Sequence, residues 1–205
     1  MDSQEFVDAV RAESKTPLSR LGSSKALYAD TEGEMEGEAV LQAAADRAHH
    51  AAETFESWAD AENGAAGELF ADAAATARDH VETIADERGE YEPGDPPGVV
   101  ESLWGVESTS ARLGAFVGWT LAAGNNADQV VGFFVGQASP MTASTFRSVS
   151  DDYDDLLAAA REVLDGVDDD GREPALSAAT DTIEADYDDY FETLESLGVN
   201  PKPVC

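Results

Sequence analysis

Three histidines, His49, His50 and His80, are the side chains here best suited to hold a metal ion or to move a proton near neutral pH. Asp46 and His49 form an Asp-x-x-His pair, and Glu53 follows one turn later, so on a helix these three groups share one face. Helical bundles hold metal in this way. Two helices each give a carboxylate, two others each give a carboxylate-x-x-His pair, and the inward oxygens and imidazoles bind two ions. Glu13 lies 33 residues before Asp46, a spacing at which a helical hairpin brings the two carboxylates level. The candidate ligands are therefore Glu13, Asp46, His49, Glu53 and His80, with Glu107 a more distant candidate. Each also has a plainer reading. His80, between Ala77 and Ile84 on an apolar face, suits a hydrogen-bonded core histidine, and the carboxylates suit solvated helix surfaces.

The elements that must position these groups are helices. Apolar residues recur at helical spacing through Phe6, Val10, Leu18 and Leu21, with Pro17 breaking or kinking a first helix that runs from Ser3 to about Tyr28. A second helix is predicted from Glu34 to Ala61. A third, from Ala65 to Arg88, carries Leu69, Ala73, Ala77, His80 and Ile84 on one face. Pro96 and Pro97 open a fourth, with Val99, Leu103, Val106, Ser110, Leu113, Val117 and Leu121 inward. A break at Gly124-Asn125-Asn126 precedes an apolar segment, Asp128 to Gln137, that reads as a helix or a buried connector. Two further stripes, Phe146 to Val167 and Leu176 to Leu197, read as antiparallel neighbours across the acidic linker Gly166–Pro174. Tyr153, Tyr187 and Tyr190 on these stripes fit either core packing or a homodimer interface. The expectation is one all-α domain over residues 1–205, divided into a bundle core at 1–123 and a connector plus helical hairpin at 124–205.

The stretch Ala45-Asp46-Arg47-Ala48-His49-His50-Ala51-Ala52-Glu53-Thr54-Phe55 resembles the metal-binding helix of the rubrerythrin branch of the ferritin-like superfamily. Phe70-x-x-x-Ala74-x-x-Ala77-x-x-His80 is similar to a second such helix. The resemblance covers roughly Glu5 to Glu87. It implies a ferritin-like antiparallel helical bundle, here with an additional C-terminal hairpin. It also implies a non-haem di-iron or single-metal site and redox chemistry with peroxide, oxygen or ferrous iron. The motifs are degenerate. Asp46 stands where the family has Glu, or else His50 is the counterpart and Arg47 takes the carboxylate position; Ala77 replaces the carboxylate of the third helix. The paired cysteines of a rubredoxin-type electron-transfer module are absent, so the electron donor is not indicated. A metal-free helical scaffold is the alternative reading.

Composition bounds the setting. Asp and Glu number 43 against 12 Lys and Arg, a formal charge of -31. At low salt such self-repulsion loosens a compact state, whereas in molar salt the Debye length falls to roughly 3 Å and neighbouring carboxylates scarcely interact. The excess of acid and the scarcity of lysine, with only Lys15, Lys25 and Lys202, read as adaptation to a salty cytoplasm. The same charge disfavours nucleic-acid binding. The lone cysteine, Cys205, gives no disulfide framework and no paired-cysteine zinc site. The apolar runs are too short to span a bilayer and the first residues lack a basic apolar leader, so the expected location is cytoplasmic.

Overall fold

The structure, a computed structural model, describes residues 1–201; Lys202 and Cys205 lie outside the described residues. Nine helices and no strand are found among the described residues, in the order α1 (Ser3–Glu13), α2 (Lys15–Leu21), α3 (Ser24–Asp30), α4 (Gly37–Ala61), α5 (Gly64–Arg88), α6 (Gly98–Glu101), α7 (Thr109–Gly136), α8 (Pro140–Leu164) and α9 (Asp169–Ser196). The class is all-α and the architecture a helical bundle. No helix among the described residues is long and apolar enough to cross a membrane.

The first predicted helix is three. Asp2 starts α1 with a capping box, its Oδ1 accepting from the Glu5 N–H at 2.7 Å while its own N–H donates to Glu5 Oε2 at 3.0 Å. α1 ends at Ser14, and Pro17 sits in the first turn of α2, where a missing N–H costs no helical bond. After α3 the chain turns through Glu32 and Gly33 at φ 50° and 91°. The left-handed backbone there suits Gly33, and a Cβ on it would also press on the Tyr28 hydroxyl at 3.1 Å.

α4 and α5 form a helical hairpin closed by the short Glu62-Asn63 connection. Leu69, Ala73, Ala77, His80 and Ile84 all turn inward as their spacing predicts. Phe55, Phe70, Phe116 and Trp119 interlock edge to face, Phe55 and Trp119 at a ring separation of 4.7 Å, and so lock the hairpin onto α7. Trp58 and Trp119 are core residues, but Trp104, in the segment before α7, is 58% exposed.

Two expectations about the C-terminal half are corrected. No break occurs at Gly124-Asn125-Asn126; α7 runs unbroken from Thr109 to Gly136 and passes through the division expected at residues 123 and 124. Tertiary partners satisfy the polar side chains that suggested a turn: Asn126 Nδ2 donates to Asp30 Oδ2 at 2.6 Å, and Asn125 Nδ2 to the Leu18 carbonyl at 3.4 Å. The last two helices also make little contact with each other. α8 and α9 each pack along α7, which is apolar around most of its circumference and needs cover on both sides. Glycine lets α9 come close: a Cβ on Gly114 would lie 1.8 Å from the Ala175 carbonyl oxygen, and one on Gly118 would lie 2.4 Å from that of Ala179. Tyr153 and Tyr190 are buried within this chain, and half-buried Tyr187 stacks on Tyr190 at 5.8 Å.

Candidate metal centre on helix α4

Ala45, Ala48, Ala51, Ala52, Phe55 and Trp58 seat α4 in the core, and this fixes where the intervening polar residues point. Arg47 is only 5% exposed, so its charge needs partners inside the protein. It finds two. Its NH2 nitrogen lies 3.3 Å from Asp186 Oδ1 on α9 and 3.6 Å from Asp30 Oδ1 at the end of α3. Asp30 has an open backbone but an inward carboxylate, with 23% of its side chain accessible. Burial, only partly offset by Arg47, raises its pKa to about 6, and nearby Asp186 adds to the rise. Asp186 is raised by the same burial, again opposed by Arg47. For Arg47 burial works against the charge, yet attraction to Asp186 and Asp30 outweighs it and holds the guanidinium protonated. Tyr153, nearby on α8, is pushed up to about 12 by burial.

A different cluster lies on the outer part of α4. His49 Nε2 is 3.7 Å from Glu53 Oε1, and His50 Nδ1 is 3.5 Å from Glu53 Oε2. One ligand atom from each of His49, His50 and Glu53 can be chosen so that all three lie within 4.8 Å of one another, the one such group among the described residues. His49 and His50 are adjacent in sequence, yet their rings meet edge to face with centroids 5.0 Å apart, and Glu53 sits one turn on to complete the set. Both imidazole-to-carboxylate separations exceed a good hydrogen bond. Each is close to the roughly 3.4 Å edge expected between ligands placed about 2.1 Å from a tetrahedral metal, with the two histidines facing different oxygens of Glu53.

The outer partners also suit a metal. His50 Nε2 lies 2.9 Å from the Gly94 carbonyl oxygen. A carbonyl only accepts, so Nε2 carries the proton, and in the neutral ring Nδ1 keeps its lone pair on the side facing Glu53. A metal-binding histidine needs this arrangement.

The other predicted residues lie apart from this group. Asp46 Oδ1 accepts from the Tyr91 hydroxyl at 2.9 Å and from the Gly94 N–H at 2.8 Å, while Gln42 donates to both carboxylate oxygens. Burial and the bond to Asp46 raise Tyr91 well above the usual phenol range, so it remains a donor. His80 is buried on α5, and its Nε2 donates to Asp152 Oδ2 on α8 at 2.9 Å; its Nδ1 has no hydrogen-bond partner among the described residues. Its ring packs on Tyr153 at 5.3 Å. Glu13 is exposed at the end of α1, and Glu107 is exposed in the segment before α7. A two-metal centre would need Glu13, Asp46 and His80 to join His49 and Glu53, and they do not enter the close group.

His50 and the Arg47 partners are what sequence reasoning did not select. His50 is the neighbour of a chosen ligand and meets Glu53 at the i,i+3 spacing, a signal present in the sequence. Asp186 lies three residues after Ile183 and four before Tyr190, on the apolar stripe of α9, and a carboxylate there calls for a buried cation. The sequence does not say which cation.

No protein-family model, curated protein or solved structure matches this chain.

Proposed function

We propose that this protein is a ferritin-like helical bundle that binds a single divalent transition metal through His49 Nε2, His50 Nδ1 and Glu53, and works as a redox protein acting on peroxide, oxygen or ferrous iron. The observation that carries the reading is that His49, His50 and Glu53 can each offer one ligand atom with all three within 4.8 Å of one another. Two imidazoles and one carboxylate are the donor set of non-haem iron(II) centres with open positions, and the chemistry such an ion supplies when bound is electron exchange with oxygen or peroxide. The chain's own groups orient the set. Gly94 fixes the His50 ring, and the Tyr91 ring lies 6.2 Å from that of His49. Glu53 is 65% exposed in its side chain, so the site faces solvent and small reactants reach it directly.

Anaerobic iron(II) titration of protein kept in molar salt, followed by dialysis and metal analysis, tests the reading. One equivalent per chain is expected, lost in His50→Ala and Glu53→Ala and kept in Glu13→Ala. Absence of saturable binding by the unaltered protein would overturn it.

A metal-free scaffold is the second reading, and the Arg47 cluster favours it. There the buried charge is balanced by the protein's own groups and joins α3, α4 and α9 with no ion required. Loss of all metal binding with unchanged folding would select it.

A further inference from the structure

The site's orientation depends on a segment that supplies none of its ligands, an inference that rests on the metal reading above. Residues 89–97 leave α5 at Gly89, where φ is 98°, and return over α4 before α6 begins. Asp46 fastens them through one oxygen, which accepts from both Tyr91 and Gly94. Gln42 adds a second tie, donating to the Glu92 carbonyl at 3.0 Å as well as to Asp46. Gly94 uses its N–H to reach Asp46 and its carbonyl to reach His50, one helical turn further along α4. The approach is so close that a Cβ on Gly94 would lie 2.8 Å from Asp46 Oδ2. A side chain here would push the Asp46 carboxylate out of its place, and the φ of Gly94 is not in the left-handed region.

We propose that residues 89–97 act as a strap that presets the metal site, with Asp46 as a positioning residue: by holding Gly94, Asp46 keeps the proton on His50 Nε2 and the Nδ1 lone pair aimed at Glu53. A free imidazole samples two tautomers and several ring rotations, and a metal must select one of them on binding. The strap makes that selection in advance, so affinity is gained at a distance from the ion. Asp46 thereby acquires a role other than that of ligand. Its two oxygens are occupied by Tyr91, Gly94 and Gln42, and the group it controls is one residue removed from the metal.

The test compares Asp46→Ala, Asp46→Asn and Gly94→Ala in the full chain, with cobalt(II) as the probe. Three readouts are taken: metal affinity, the His50 tautomer from ring nitrogen chemical shifts in metal-free protein, and the thermal midpoint. Asp46→Ala is expected to weaken cobalt binding by roughly 10- to 100-fold, the usual cost of losing an outer partner, and to leave the His50 ring averaging between tautomers. Asp46→Asn keeps an oxygen for Tyr91 and Gly94 and should restore most of the affinity. Gly94→Ala displaces the strap while leaving α4 intact and should reproduce the Asp46→Ala result even if the latter folds poorly. Unchanged affinity, or a His50 ring that keeps its Nε2 proton in both disruptive variants, would overturn the strap. If the unaltered protein binds no cobalt, the metal reading fails, and the tautomer measurement on metal-free protein still decides whether the strap orients His50.

Discussion

Arg47 and His50 stand three residues apart on α4, yet one side chain is closed off by partners and the other keeps a lone pair free. Arg47 is buried, and a buried charge is tolerated only when neighbours compensate it, so Asp30 and Asp186 converge on it from two other helices. His50 lies nearer the surface, where water supports the polar groups, and its Nδ1 stands 3.5 Å from the Glu53 carboxylate, longer than a good hydrogen bond. The comparison teaches where function can reside in this bundle: the inner cluster is saturated and joins helices, and the outer one has ligand capacity left over.

The largest effect that could break this contrast is at Arg47. Arg47→Met would leave the buried Asp186 carboxylate without its cation and Asp30 without its ion pair, and should cost about 3–5 kcal/mol, read from equilibrium urea unfolding in molar salt. Replacing Asp30 and Asp186 by leucine in the same protein should recover much of that loss. A stability unchanged by Arg47→Met would mean that the inner cluster is not a joint.

A smaller effect appears with pH. Asp30 has a carboxyl near 6 in the folded protein against an ordinary 3.8, so the folded state holds its proton more tightly than the unfolded state does. The contribution of this group to stability is fully present below 3.8 and is lost as pH rises through about 6. Asp186 is displaced in the same direction. Stability should therefore improve through these groups on acidification across that window, and Asp30→Asn should flatten the slope. An identical pH profile in the variant would remove Asp30 from the account.

The smallest stability effect is expected at the outer cluster. Glu53→Ala should change unfolding stability by no more than roughly 0.5 kcal/mol, because the side chain is 65% exposed, while abolishing metal binding. A large stability loss would make the two clusters alike and dissolve the comparison.

Much of the helical layout was legible from spacing. Leu69, Ala73, Ala77, His80 and Ile84 needed only their period to be placed inward, and the stripes from Phe146 and Leu176 gave α8 and α9. Asn125 and Asn126 misled for a physical reason. Asparagine next to glycine suggests a turn when its side chain must bond locally, and here Leu18 and Asp30 supply the bonds from other helices. In the candidate site, the ligand types and the α4 spacing of His49 and Glu53 were readable. The partner that orients His50 was not, because Gly94 lies 44 residues away in a segment without periodicity.

The sequence by itself determined that the chain is helical, that α4 carries imidazoles beside carboxylates and that the surface is strongly acidic, since each follows from composition or from contacts three and four residues apart. Only the tertiary structure decided that Asp46 serves the strap, that His80 turns to Asp152, and that Arg47 meets Asp30 and Asp186. Among 43 carboxylates, a ligand, a positioning group and a solvated charge are chemically identical, and what separates them is which donor the fold brings within hydrogen-bonding distance.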